Sequence, residues 1–261
     1  MEGPTSGPVL LHPGFAARSR PRRDHRPCLG EAQAPRYAGE VEAAPITEVV
    51  REVVVPTRDA ALPGIFTLPP VPDGVVLFAH GSGSSRLSPR NRMVASTLVE
   101  AGFATLLFDL LDEREAMDRA AVFDVEFLAA RLEDATAWLL AEAKAPLSVG
   151  YVGASTGAGA ALWAAADLGA TVGAVVSRGG RPDLAGPRLA EVLAPTLLLV
   201  GGRDEVVLEL NREAQRRMRC PTALEVVPGA THLFDEPGTL ERVAELSARW
   251  FRSKLAGERD R

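Results

Sequence analysis

Cysteine is scarce in this chain. Cys28 lies in an irregular N-terminal stretch and Cys220 stands beside Pro221. Neither has a companion at metal-ligand spacing, and a disulfide between them is not expected, so the thiol usage suits a reducing cytoplasm. No H-E-x-x-H and no paired Cys/His set occurs, which leaves no candidate metal site. No apolar run approaches the roughly 18 residues of a membrane span, and residues 1–12 lack the long apolar segment of a signal peptide. The formal net charge of −5 offers no basic footprint, so nucleic acid is not an expected partner. Gly81-x-Gly83 lacks the third glycine of a dinucleotide fingerprint, and no G-x-x-x-x-G-K-[ST] occurs. No cofactor is implied. No internal repeat is visible.

What is present is enough apolar material for one sizeable core: 261 residues, 46% hydrophobic and 24% charged. Residues 1–44 are rich in Pro, Gly and Arg and show neither a helical nor a strand period, so they read as a disordered or loosely attached tail. Residues 45–261 read as the folded domain. Two strands, 46–55 and 64–68, joined by a turn over 56–63, predict an antiparallel entry hairpin. Residues 75–79 form a continuous apolar run, the pattern of a strand buried on both faces. Ser88 as N-cap and Pro89 at the first helical position open a helix to about Ala101, and Gly102 stops it. A strand at 103–108, an acidic loop at 112–118 and a helix at 123–143 follow. Further strands are expected at 172–177, 196–200 and 223–227, with helices at 205–218 and 239–255. Strands alternating with helices predict an α/β fold, a mostly parallel central sheet with helices on both faces.

The most informative stretch runs from Leu147 to Ala160. A short apolar strand meets a turn of small residues, then an Ala-rich helix reaching about Leu168. At its centre Gly153-Ala154-Ser155-Thr156-Gly157 has the G-x-S-x-G form of a nucleophile elbow. A serine lifted on a sharp strand-to-helix turn takes a strained backbone, and larger side chains two residues either side would collide. The helix N-terminus behind Ser155 favours developing negative charge.

Two later loops complete a constellation. The 196–200 strand leads to Asp204 and the 223–227 strand leads to His232. Ser155, Asp204 and His232 therefore appear in that order at the carboxyl ends of strands, where ligands of parallel sheets bind. A serine hydroxyl needs an imidazole to take its proton, and the imidazole needs a carboxylate to fix its tautomer. Singly, Asp204 also reads as a helix cap and His232 as a loop histidine. The N–H of Thr156 is a candidate oxyanion donor, with Ser82 and then Gly83 as candidates for the second. His80 reads as a residue that shapes this loop. Arg86, Arg178 and Arg181 stand on loops at the same edge. Either they bind a substrate anion, or they pair with carboxylates such as Asp109 and Asp183 and fix the loops.

These motifs together resemble the dienelactone hydrolase-like family of α/β-hydrolases. The likeness runs from about Ile46 to the end. It is carried by His80-Gly-Ser-Gly-Ser-Ser-Arg86, Ser88-Pro-Arg-Asn-Arg92, Gly153-Ala-Ser-Thr-Gly157, Ser177-Arg-Gly-Gly-Arg-Pro-Asp183, Gly201-Gly-Arg-Asp204 and Gly229-Ala-Thr-His232. It is greatest to a serine-bearing bacterial branch that also occurs fused to phosphoribosyltransferase domains, and no such partner domain is expected in this chain. The resemblance implies the α/β-hydrolase fold. Dienelactone hydrolase itself uses a cysteine, so its lactone does not transfer. The expected function is hydrolysis of a small ester, thioester or lactone through an acyl-enzyme, by a monomer or homodimer, on a small-molecule acyl substrate that carries an anion if the arginines face it. Acyl transfer, perhydrolysis or non-catalytic binding of a small anion are the alternatives. The short loops at 109–118 and 178–187 leave no room for a large lid.

Overall fold

The computed structural model describes residues 48–143 and 146–256. The expected tail, residues 1–44, and Cys28 lie outside the described residues. Strand β1 (Val49–Pro56) pairs antiparallel with β2 (Ala61–Leu68), in a register running from Val49 opposite Leu68 to Pro56 opposite Ala61. The turn is shorter than its prolines suggested. Thr57 N–H donates to Ala60 O at 2.8 Å, and Pro63 lies inside β2 opposite Val54.

Strands β3 (Val75–Ala79), β4 (Ala104–Phe108), β5 (Val149–Ala154), β6 (Val172–Arg178), β7 (Thr196–Gly201) and β8 (Thr222–Val227) complete an eight-stranded sheet of order β1-β2-β4-β3-β5-β6-β7-β8. All neighbours from β4 onward in that order are parallel. Every residue of β3, β4, β5 and β7 is buried, as continuous apolar runs require when helices cover both faces.

Helix α1 (Pro89–Glu100) starts as its sequence dictates: Ser88 Oγ accepts from Asn91 N–H, and Pro89 fills the first turn. The helix expected at 123–143 begins at Val125, and a short helix that was not expected precedes it. Helix α2 (Arg119–Phe123) stops at Asp124, whose carboxylate then accepts from Phe127 N–H and caps α3 (Val125–Glu142). Helices α4 (Thr156–Leu168), α5 (Glu205–Arg217) and α6 (Thr239–Lys254) follow. One core joins α3 and α4 to the sheet, around Leu128, Leu132, Tyr151, Leu162 and Val175. The other joins α1 and α6 to the opposite face, around Leu98, Val152, Val176, Phe234 and Phe251.

This topology places the site. From β3 the chain passes to β4 on one side and later to β5 on the other, with α1 and α4 on opposite faces. The loops after β3 and β5 therefore diverge, and the crevice of a parallel sheet opens between them. Among the described residues no helix is long and apolar enough to cross a membrane.

Candidate active site

Ser155 stands between β5 and α4 with φ 49° and ψ −121°. Only Ser155 and Phe234, two residues beyond His232, have positive φ among the described non-glycine residues. Strained backbone of this kind, costing of order 1–3 kcal/mol, persists where the surroundings enforce it. The enforcement is visible at the flanking glycines. A Cβ on Gly153 would lie 2.4 Å from Ala158 Cα, and one on Gly157 would lie 2.2 Å from Ala79 O. Helix α4 thus sits directly against β3 and β5, at a distance only glycine permits. The end of β6 and the loop after it also hold the turn: Ser155 N–H donates to Arg178 O at 3.4 Å, and Arg181 N–H donates to Ser155 O at 3.0 Å.

Asp204 occupies the N-cap position of α5 but makes no side-chain capping bond. Its Oδ2 instead lies 2.6 Å from His232 Nδ1. That pairing selects the tautomer with the proton on Nδ1 and leaves Nε2 as the acceptor. The two loops are joined by backbone as well, since Arg203 N–H donates to Ala230 O at 2.9 Å. His232 approaches the elbow through Gly179, where a Cβ would come 2.9 Å from His232 O. Among the described residues no hydrogen bond joins Ser155 Oγ to the imidazole. The structure therefore brings Asp204 and His232 into contact and sets them beside the loop that holds Ser155.

The loop after β3 turns sharply. Ser84 N–H donates to Gly81 O, and Gly83 takes φ 68°, as the third position of a type II turn demands. Ser82 N–H, the first expectation for the second oxyanion donor, already donates to Thr156 Oγ1 at 2.9 Å. The expectation is revised accordingly. Among the described residues, Gly83 N–H and Thr156 N–H have no hydrogen-bond acceptor. His80 is buried, and its Nε2 accepts from Leu110 N–H at 3.0 Å while Nδ1 faces Gly81 O at 3.0 Å. Nε2 must therefore be unprotonated. Burial lowers the pKa of this imidazole, which agrees with a neutral ring serving as a brace between two loops.

The arginines divide. Arg86 pairs with Asp109 through both its backbone N–H and its guanidinium. Arg181 forms a two-bonded pair with Asp183, at 2.8 and 2.7 Å. Both pairings hold their own loops. Arg178 is different. It is only 7% exposed, donates to Asn91 Oδ1 at 2.8 Å, and leaves its Nε unpaired. Burial, then the nearby Arg90 charge, lower its pKa to about 10. It packs against α1 and does not line the cavity described next.

A cavity of about 550 Å³ opens beside Thr156 and Ser82, between the 81–86 loop and the 109–122 segment. Sequence reasoning did not find its organiser, Arg131. This residue is 1% exposed in α3, bonded to both oxygens of Glu115 at 2.6 and 2.7 Å and to Leu110 O at 3.0 Å. The signal was there: a lone charge on the apolar stripe of Leu128, Leu132 and Ala135. Among the described residues no group of three or more His, Cys, Asp and Glu side chains is placed to hold a metal ion.

Comparison with known proteins agrees with this architecture. The profile of the dienelactone hydrolase family matches residues 62–253. The chain is 50% identical to a dienelactone hydrolase of Anabaena variabilis, with a TM-score of 0.76 over 80% of this chain and 99% of that one. Est1E of Butyrivibrio proteoclasticus shares the fold at 16% identity, with a TM-score of 0.67 over 79% of this chain and 99% of that one. A Mycobacterium tuberculosis protein named as a phosphoribosyl transferase is 59% identical over 224 residues, covering 84% of this chain and 50% of that one. This chain thus spans about half the length of the curated relatives it matches. With fold, elbow and family profile in agreement, the chain belongs to the dienelactone hydrolase family.

Proposed function

We propose that the chain is a serine hydrolase that cleaves a small ester, thioester or lactone through an acyl-enzyme on Ser155. The observation that carries this reading is the Asp204–His232 contact at 2.6 Å, made by a carboxylate that forgoes the cap position it occupies. His232 Nε2 takes the Ser155 proton as Oγ attacks the acyl carbon. The imidazolium that forms is stabilised by Asp204, and it then protonates the leaving group. Thr156 N–H and Gly83 N–H are the proposed donors to the oxyanion, aided by the dipole of α4. Water, activated by His232, releases the acid in the second half-reaction. The serine–imidazole bond is proposed to close when substrate enters, since catalytic hydrogen bonds often tighten only in the complex.

The dienelactone hydrolase of Anabaena variabilis supports ester or lactone cleavage as the reaction class. The deciding experiment is labelling with a small fluorophosphonate followed by peptide mapping. The expected result is one adduct, on Ser155, that is lost in His232→Ala and in Ser155→Ala. An unlabelled wild-type protein, or an adduct elsewhere, would remove Ser155 from the mechanism.

A further inference from the structure

We infer that the cavity between the 81–86 loop and the 109–122 segment is the acyl pocket, and that it takes an uncharged or cationic acyl chain in preference to a carboxylate-bearing one. This rests on the serine-hydrolase reading above and adds the substrate class to it. The first support is position. Gly81, Ser82 and Thr156 line the cavity and a Cβ on Gly81 would lie 2.9 Å from Ser155 Cβ, so the cavity abuts the elbow although Ser155 and His232 are not part of its lining. An acyl group whose carbonyl reaches that point has its chain inside the cavity.

The second support is the wall. Pro63, Leu110, Leu111, Val122 and Leu128 make much of it, and about 550 Å³ is within the range of small-ligand sites. The third support is charge. Among the described residues the lining holds one cation, Arg86, against three carboxylates, Asp109, Asp112 and Glu113. Arg86 is committed to Asp109. Asp112 Oδ1 accepts the N–H groups of Arg114 and Glu115, both at 2.8 Å, bonds that leave its negative charge in place. His80, also in the lining, is held neutral by its bond from Leu110 N–H. Arg131 is nearby, but it faces Glu115 and Asp59. An acyl chain ending in a carboxylate would therefore meet, at the exposed rim of the cavity, two negative charges that no lining cation offsets.

The test uses three 4-nitrophenyl esters of matched length: pentanoate, the glutarate half-ester, and 4-(trimethylammonio)butanoate. The expected kcat/KM for the glutarate half-ester is at least tenfold below that for pentanoate, with the cationic ester equal to pentanoate or better. In Asp112→Asn/Glu113→Gln the ratio of glutarate to pentanoate kcat/KM should rise at least fivefold. The amide that replaces the Asp112 carboxylate keeps an oxygen for the two N–H groups, so the loop retains its cap. Leu128→Trp locates the chain: it should lower kcat/KM for pentanoate at least tenfold more than for acetate. Equal rates on pentanoate and the glutarate half-ester, or an unchanged ratio in the double variant, would overturn the charge preference. Equal losses on acetate and pentanoate in Leu128→Trp would overturn the pocket assignment. Fluorophosphonate labelling separates these failures from the underlying reading: a labelled Ser155 with no discrimination sinks the substrate class alone, whereas an unlabelled Ser155 sinks both.

Discussion

Ser82 donates its backbone N–H to Thr156 Oγ1 across 2.9 Å, tying the loop after β3 to the first residue of the helix behind Ser155. One side chain thus sets the separation of the two segments expected to supply the oxyanion donors. Thr156 is buried but Ser82 is exposed, so the loss of the hydroxyl leaves the Ser82 N–H to water and releases the loop at a cost of about 0.5–1.5 kcal/mol. Thr156→Val, of nearly equal volume, is expected to lower kcat roughly tenfold on a neutral ester, with a smaller change in KM. Thr156→Ser should recover most of that loss. Steady-state kinetics on both variants decides it, and a fully active Thr156→Val would show that the tether is dispensable.

Ser155 offers a test in which activity and stability move oppositely. Ser155→Ala should lower turnover of order 10⁴-fold, leaving only the contributions of binding and the oxyanion donors. Ser155→Gly should be equally inactive yet more stable than Ser155→Ala, by about 1 kcal/mol, because φ 49° with ψ −121° strains any residue that bears a Cβ. Denaturant unfolding of the two variants measures the difference directly. An alanine variant as stable as the glycine variant would mean the elbow stores no strain.

The elbow was legible in the sequence because its constraint is local. Gly153 and Gly157 are required by contacts within one strand-turn-helix unit and with the adjacent end of β3. Asp204 and His232 were legible for a related reason, since each follows a strand within a few residues, a continuous apolar one in the case of Asp204. The rest depended on distances that spacing does not encode. The short helix over 119–123 was not legible, because its start is set by the Asp118 side chain, which accepts from Ala120 N–H, and not by an apolar period. Pro63 reads as a turn residue, yet it sits in β2 opposite Val54. The sequence offers Asp109 and Asp183 as partners for the arginines, but that Arg86 is the one to meet Asp109, 23 residues away, is set by loop packing. Ser82 as a donor failed similarly, because its acceptor is a hydroxyl 74 residues away.

His80 gives a pH dependence with a defined sign. Its folded-state pKa is lowered, chiefly by burial, below the ordinary value near 6.5. Between the folded and unfolded values the unfolded chain binds more protons, so stability is complete above about pH 6.5 and falls as the pH drops toward the folded value. Within that window the loss approaches about 1.4 kcal/mol per pH unit, and below the folded value it stops growing. Melting temperatures from pH 8 to pH 5 are expected to decline more steeply for wild type than for His80→Gln, which cannot titrate. Parallel curves would show that His80 accepts a proton in place.

Arg131 holds the cavity wall, and its removal should act on stability and on substrate affinity together. Its guanidinium meets both oxygens of Glu115, the Leu110 carbonyl and, at 3.3 Å, Asp59, while its plane lies 4.4 Å from the centre of the Phe127 ring. These partners come from the β1–β2 turn, the end of β4 and the segment before α2, so a single group fastens three pieces of chain. Truncating one member of a buried ion pair costs about 3–5 kcal/mol. Glu115 and Asp59 retain access to water, at 27% and 41% side-chain exposure, which reduces the expected loss for Arg131→Met to about 2–3 kcal/mol. Thermal unfolding should show a fall of several degrees. Arg131→Lys should restore less than half of it, because one ammonium cannot span partners in three directions. The functional consequence follows from where Leu110 and Glu115 sit. With the wall loosened, KM for a pentanoate ester should rise several-fold, whereas an acetate ester, which reaches only the inner end beside Thr156, should change less. A uniform change on both esters would assign Arg131 to global stability alone and detach it from the shape of the pocket.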